Sequence, residues 1–193
     1  MYAARAAAHH VGNYTPRDND VSANFKQLKY SMQERKFAVA AGLYERGPLR
    51  AALRAQAAAL PPGLDETIRA ALAAGDGAEA ERGLMVFFAA LARDLAFEAD
   101  RQLGDAQLSP GARLAASGKF VEAIWRYYNL VDFAVSQRHP KAATAVRLAV
   151  DDAAGFAKRP ATPADRLREP FRRIAQALTS VIDAASTSAR RHL

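Results

Sequence analysis

The chain has 193 residues, half of them hydrophobic, and 27 Lys and Arg against 20 Asp and Glu give it a formal net charge of +7. That length holds one domain with a real core. The absence of cysteine excludes disulfides, thiol nucleophiles, thiolate zinc sites and cysteine-ligated iron–sulfur clusters.

The first twenty residues read as a tail, since Gly12, Asn13 and Pro16 interrupt any period. Within it, Ala3 to His10 resembles the remnant of a processed start. That would place the protein in the periplasm, with the cytoplasm as the alternative. His9 and His10 are candidate copper or nickel ligands. Asp18 or Asp20 is expected to cap a first helix over 21–46, where Val21, Phe25, Leu28, Met32, Val39 and Leu43 recur at helical spacing. Gly47-Pro48 ends it. Short helices follow over 49–60, closed by Pro61-Pro62-Gly63, and over 65–74, closed by Gly75-Asp76-Gly77.

A long helix is expected over 78–103, with Leu84, Phe87, Phe88, Leu91 and Leu95 on its apolar face. Residues 104–111 form a turn, within which Ser109-Pro110 is suited to starting the next helix, and 114–117 lead through Gly118 into a helix over 119–138. This stretch holds the only Trp and reads as the centre of the domain. Phe120, Ile124, Tyr127, Val131 and Val135 share one face, with Trp125, Tyr128 and Asp132 beside it, so neighbours on two sides are expected. Glu122 and Arg126 stand one turn apart in the favourable order for a surface ion pair. His139-Pro140 ends the helix, with the histidine expected to cap it. A helix over 141–157 and a last one over 164–189 complete the set, and Pro170 falls in the first turns of the last.

Few Val and Ile and no alternating apolar–polar segment exclude a substantial sheet. The expectation is all-α: an up-and-down bundle of four long helices (21–46, 78–103, 119–138 and 164–189) plus two or three short ones. It forms a single domain over 21–189, with 190–193 frayed. No apolar run is long enough to span a bilayer.

Three stretches resemble one another: Glu34 to Ala40, Gly75 to Ala80 and Gly118 to Ala123. The third, with Ile124, Tyr127 and Pro140 after it, resembles the second half of a tetratricopeptide repeat. That resemblance covers a small part of the chain and implies an α-hairpin scaffold that binds partner segments.

The chemistry-bearing motifs sought are missing. There is no Walker phosphate loop, no dinucleotide fingerprint and no His-Glu-x-x-His. The basic excess sits late, with eight basic and three acidic residues between Lys158 and Leu193. Arg166, Arg168, Arg172 and Arg173 are interleaved with Asp165 and Glu169, which points to ion pairing within the helix. It argues against sequence-specific nucleic-acid reading. An arginine-rich solvated face of the kind GC-rich bacterial genomes encode accounts for the rest.

The sequence therefore leads to a non-catalytic bundle protein that binds a partner protein or a small ligand between its helices. Trp125, Tyr127, Tyr128 and Asp132 are the candidate ligand-binding residues, because a pocket needs flat apolar walls and a few polar anchors. The alternative is a carboxylate-based metal or cofactor site using Asp94, Glu98 and Glu122, with Asp132 nearby. Asp94 and Glu98 are like charges one turn apart and need an arginine or a metal between them. No pattern specifies a cofactor or an oligomeric state.

Overall fold

The computed structural model describes residues 17–190, with side chains as far as Ser186. The His9–His10 pair and residues 191–193 lie outside it. The described residues form eight α-helices, α1 (Asp20–Gln33), α2 (Phe37–Arg46), α3 (Pro48–Ala55), α4 (Leu64–Ala74), α5 (Gly77–Leu103), α6 (Pro110–Arg138), α7 (Pro140–Ala157) and α8 (Ala164–Arg190). One 3₁₀ turn, Ala57–Ala59, follows α3, and no strand occurs among the described residues. None of the helices is long and apolar enough to cross a membrane.

The all-α bundle is as expected, but its fourth long member is not the N-terminal helix. The bundle is α5 to α8. α5 packs on α6 and α8, and α7 closes the ring against both. α1 to α4 form a second layer of short helices that rests mainly on α5.

The first helix begins at Asn19 rather than at either aspartate. The Asn19 side chain accepts the Ser22 N–H at 2.9 Å, and the Ser22 Oγ accepts the Asn19 N–H at 2.9 Å. Asp18 instead accepts from the Ser22 hydroxyl and from Lys26. The helix expected over 21–46 is broken. Lys36 N–H bonds to Ser31 C=O at 2.8 Å and Arg35 N–H to Met32 C=O at 2.9 Å, the pair of bonds that closes a helix end. Arg35 stands at φ 57°, a left-handed conformation that glycine adopts without strain. The break lets α2 fold back along α1 and bury Ala40 and Tyr44, which a straight helix would carry past the core. Arg35→Gly is expected to raise stability by up to about 1 kcal/mol in urea titration, with relief of strain exceeding the entropy gained by the unfolded chain.

Asn24 fixes the next corner. It is nearly buried, and its amide accepts the Leu49 N–H at 3.2 Å and donates to the Leu43 C=O at 3.3 Å. Tyr44, Arg50 and Asp65 then join α2, α3 and α4. The carboxylate accepts from the Tyr44 hydroxyl at 2.9 Å and from Arg50 through Nε at 2.9 Å and a terminal nitrogen at 3.0 Å.

α5 is the most enclosed helix. Residues 83–92 are buried on every side, as a run without charge or polar side chain requires. Phe88 sits where the layers meet, with ring centroids 4.7 Å from Phe25, 5.2 Å from Phe87 and 6.0 Å from Tyr127. α4 comes close because position 83 is glycine. A Cβ there would lie 2.5 Å from the Ile68 side chain.

α6 starts nine residues before the expected position. Ser109 caps it, accepting the Ala112 N–H at 3.3 Å, and the helix runs unbroken through Gly118 for 29 residues. Ser117, Ile124, Tyr128, Val131, Ala134 and Val135 are its buried positions, and α6 packs mainly on α5 and α7, so packing carries the helix across the glycine. Gly118 is thus mid-helix, whereas the two stretches it resembles lie at the α1–α2 and α4–α5 junctions. The three do not form a structural repeat.

The arginines of α8 pair across helices as well as within their own. Arg168 and Arg172 both bond to Asp100 of α5, at 2.8 and 2.9 Å, and Arg173 bonds to Asp152 of α7 at 2.6 Å. Arg173 also meets Glu169 and Arg168 meets Asp165, the two pairings that the α8 sequence alone suggests.

Candidate functional site

The aromatic residues of α6 do not converge on one pocket. Tyr127 turns toward α1 and α5, where its hydroxyl accepts from the Asn19 amide at 2.8 Å and its ring lies beside Phe88. Tyr128 and Asp132 turn toward α7. Asp132 holds Arg147 through two bonds, at 2.9 and 2.5 Å, and Arg147 also donates to Ser136 Oγ at 2.8 Å. Trp125 is half-buried, 6.0 Å from the Tyr128 ring. Three of the four residues thus share one side of α6, and Tyr127 stands on another.

The Tyr128 hydroxyl is buried without a well-formed hydrogen bond. Burial, and then the Asp132 charge, push its pKa up, so it stays neutral. A buried hydroxyl with no good partner contributes little stability, so Tyr128→Phe is expected to change the unfolding free energy by less than about 1 kcal/mol, or to raise it. Denaturant unfolding checks this.

The carboxylates considered for a metal are otherwise engaged or apart. Glu98 is held by Arg101 and then Gln102, whose hydrogen bonds bring its pKa down to about 2. Asp94 pairs with Arg93 at 2.8 Å, and Glu122 is exposed. Arginine, then, offsets the like charges one turn apart. Among the described residues no three His, Asp or Glu side chains are gathered so that they could hold a metal ion. The Glu122–Arg126 pair is not among the ion pairs of the described residues. The Arg126 charge acts instead on Asp18, helping Lys26 and Ser22 to hold that carboxyl below its usual value.

The larger space lies at one end of the bundle. A groove of about 910 Å³ opens between the α3–α4 connection, the first half of α5, the α6–α7 corner and the last described turns of α8. Each wall has a local cause. Pro61-Pro62-Gly63 makes a rigid corner, with Gly63 at φ 77°, and delivers Leu64 as the first residue of α4. Gly83 lets α4 approach α5, which sets Met85 and Val86 in the floor. Pro140 ends α6 at His139 and starts α7 in the next residue. Ala184, Ala185 and Ser186 form the far wall, with small side chains that leave the space open.

The polar groups of the groove are few. Arg82 pairs with Glu79 one turn before it. Glu66 stands in the first turn of α4, where the helix end favours a negative charge. Arg138 is exposed in the last turn of α6 and has no acidic partner among the described residues. His139 is the C-cap of α6, as its position suggested, with its backbone N–H bonded to the Val135 C=O at 2.7 Å, and its side chain makes no cap bond to α7. That side chain lines the groove, and burial, then the Arg138 charge, lower its pKa. At neutral pH it is an uncharged ring with one donor and one acceptor.

A second, shallower space of about 490 Å³ lies between α5 and the N-terminal half of α6, walled by Leu95, Phe120 and several alanines.

The sequence reading missed the end groove. His139-Pro140 and the Pro-Pro-Gly corner were visible as helix ends, but nothing local joins residues so far apart as Leu64 and Ala185. Compared with known proteins, the chain matches no family model, no curated protein and no solved structure. The fold and this groove therefore carry the functional argument alone.

Proposed function

We propose that this chain is a non-catalytic binding protein that takes a small, largely apolar ligand in the groove at the end of its bundle. The carrying observation is the groove itself. Its volume of about 910 Å³ falls in the range of small-molecule sites, and an apolar floor meets a few polar groups at its rim. The aromatic residues of α6, which the sequence favoured, serve packing in this reading. Asp132 joins α6 to α7 through Arg147, Trp125 lies against Tyr128 within α6, and Tyr127 anchors the N-terminal layer.

Thermal unfolding of the full chain with twelve-carbon amphiphiles, held below their micelle concentrations, tests the proposal. A ligand present at about 100 times its Kd adds roughly 2.7 kcal/mol of stability, which for a chain of this size raises Tm by roughly 5–10 °C. Ala184→Phe narrows the groove from an exposed position, and it is expected to abolish the rise while leaving Tm without ligand nearly unchanged. An unchanged Tm with every amphiphile, or an equal rise in Ala184→Phe, would contradict the reading.

A further inference from the structure

We propose that the ligand of the end groove is an anionic amphiphile, with its hydrocarbon chain along Leu64, Met85 and Val86 and its acidic head at Arg138 and His139. This rests on the groove being the binding site and adds the charge of what it takes. Leu64, Met85 and Val86 are nearly buried, so an alkyl chain would meet only the outer edges of these side chains, a surface without hydrogen-bonding demands. The rim decides the head.

Of the four charged side chains that line the groove, Arg82 and Glu79 neutralise each other. Glu66 is accommodated by the first turn of its own helix, at the α4 side. Arg138 remains, exposed and without an acidic partner among the described residues, beside the neutral donor of His139. Two helices also begin at the rim, α4 at Leu64 and α7 at Pro140, and neither start is capped by a side chain. The α7 start adds positive potential beside Arg138, whereas the α4 start is already offset by Asp65 and Glu66 in its first turn. At the Arg138 end a cationic head would meet the guanidinium and the α7 start unfavourably, and a neutral head would leave the arginine without a counter-charge. A carboxylate can take a charge-assisted bond from the guanidinium.

Calorimetric titration of the full-length protein with dodecanoate, dodecyl maltoside and dodecyltrimethylammonium, each below its micelle concentration, decides the matter. Dodecanoate is expected to bind about tenfold more tightly than the maltoside, and the ammonium compound most weakly. Arg138→Gln, at an exposed position that the fold does not need, is expected to weaken dodecanoate about tenfold and to leave the maltoside unchanged. Equal binding of all three, unaffected by Arg138→Gln, would overturn the anionic head while leaving the groove as the binding site. Tightest binding by the ammonium compound would also overturn it. No binding by any of the three would overturn the groove reading itself.

Discussion

Asp65→Ala is expected to lower the stability of the protein by about 3–5 kcal/mol, the cost of breaking a nearly buried ion pair from one side. Asp65 and Arg50 are 13% and 16% exposed, so solvent screens them little. Removing the carboxylate leaves the Arg50 guanidinium without the partner that holds it at two nitrogens, and it leaves the hydroxyl of fully buried Tyr44 unbonded. Three helices lose their common fastening at once, so the N-terminal layer should loosen as a unit. Urea titration followed by circular dichroism measures the loss. Hydrogen exchange should show it concentrated in α2 to α4.

The same carboxylate gives the protein an acid limit. Burial raises the Asp65 pKa, but the hydrogen bonds from Arg50 and Tyr44 outweigh it, and the carboxyl is held below its ordinary value. The folded state therefore keeps this charge at pH values where the unfolded chain has already taken a proton. Its contribution is complete above about pH 4 and is lost as pH falls through the lower folded value. In Asp65→Asn the stability curve should be flatter below about pH 4 than in the wild type.

Phe88→Ala is expected to cost about 3–5 kcal/mol, the usual effect of emptying a fully buried ring position. Phe88 has no exposed surface and touches three other rings. Those rings belong to α1, α5 and α6, so the cavity would open where the bundle meets the N-terminal layer, and neither side can close it alone. Denaturant unfolding should show a lower midpoint with an unchanged slope.

How much of this was legible follows from which signals are local. The run Gly83 to Ala92 has no charge or polar side chain, and it marks a helix enclosed on all sides. The single Trp and the tyrosines of α6 are the more conspicuous feature of the sequence, yet the plainer segment is the centre. Helix ends at proline, such as His139-Pro140, were readable because the stereochemistry is local. The break at Arg35 was not, since an arginine takes the conformation usually given to glycine. Gly118 misled in the opposite direction. Buried neighbours at 117 and 124 hold it within α6 at a cost of about 1 kcal/mol in helix propensity. The pairing of Arg168 and Arg172 with Asp100 spans 68 and 72 residues and has no trace in the α8 sequence. The same holds for the end groove, whose walls come from four helices and the connections between them.

Hydrogen exchange on the full chain, with and without dodecanoate, locates the binding site most directly. The account predicts slower exchange at residues 63–67, 82–86, 138–139 and 184–186, and no change at 125–132. Slowing confined to the stretch around Trp125, Tyr128 and Asp132, or no slowing at all, would contradict it.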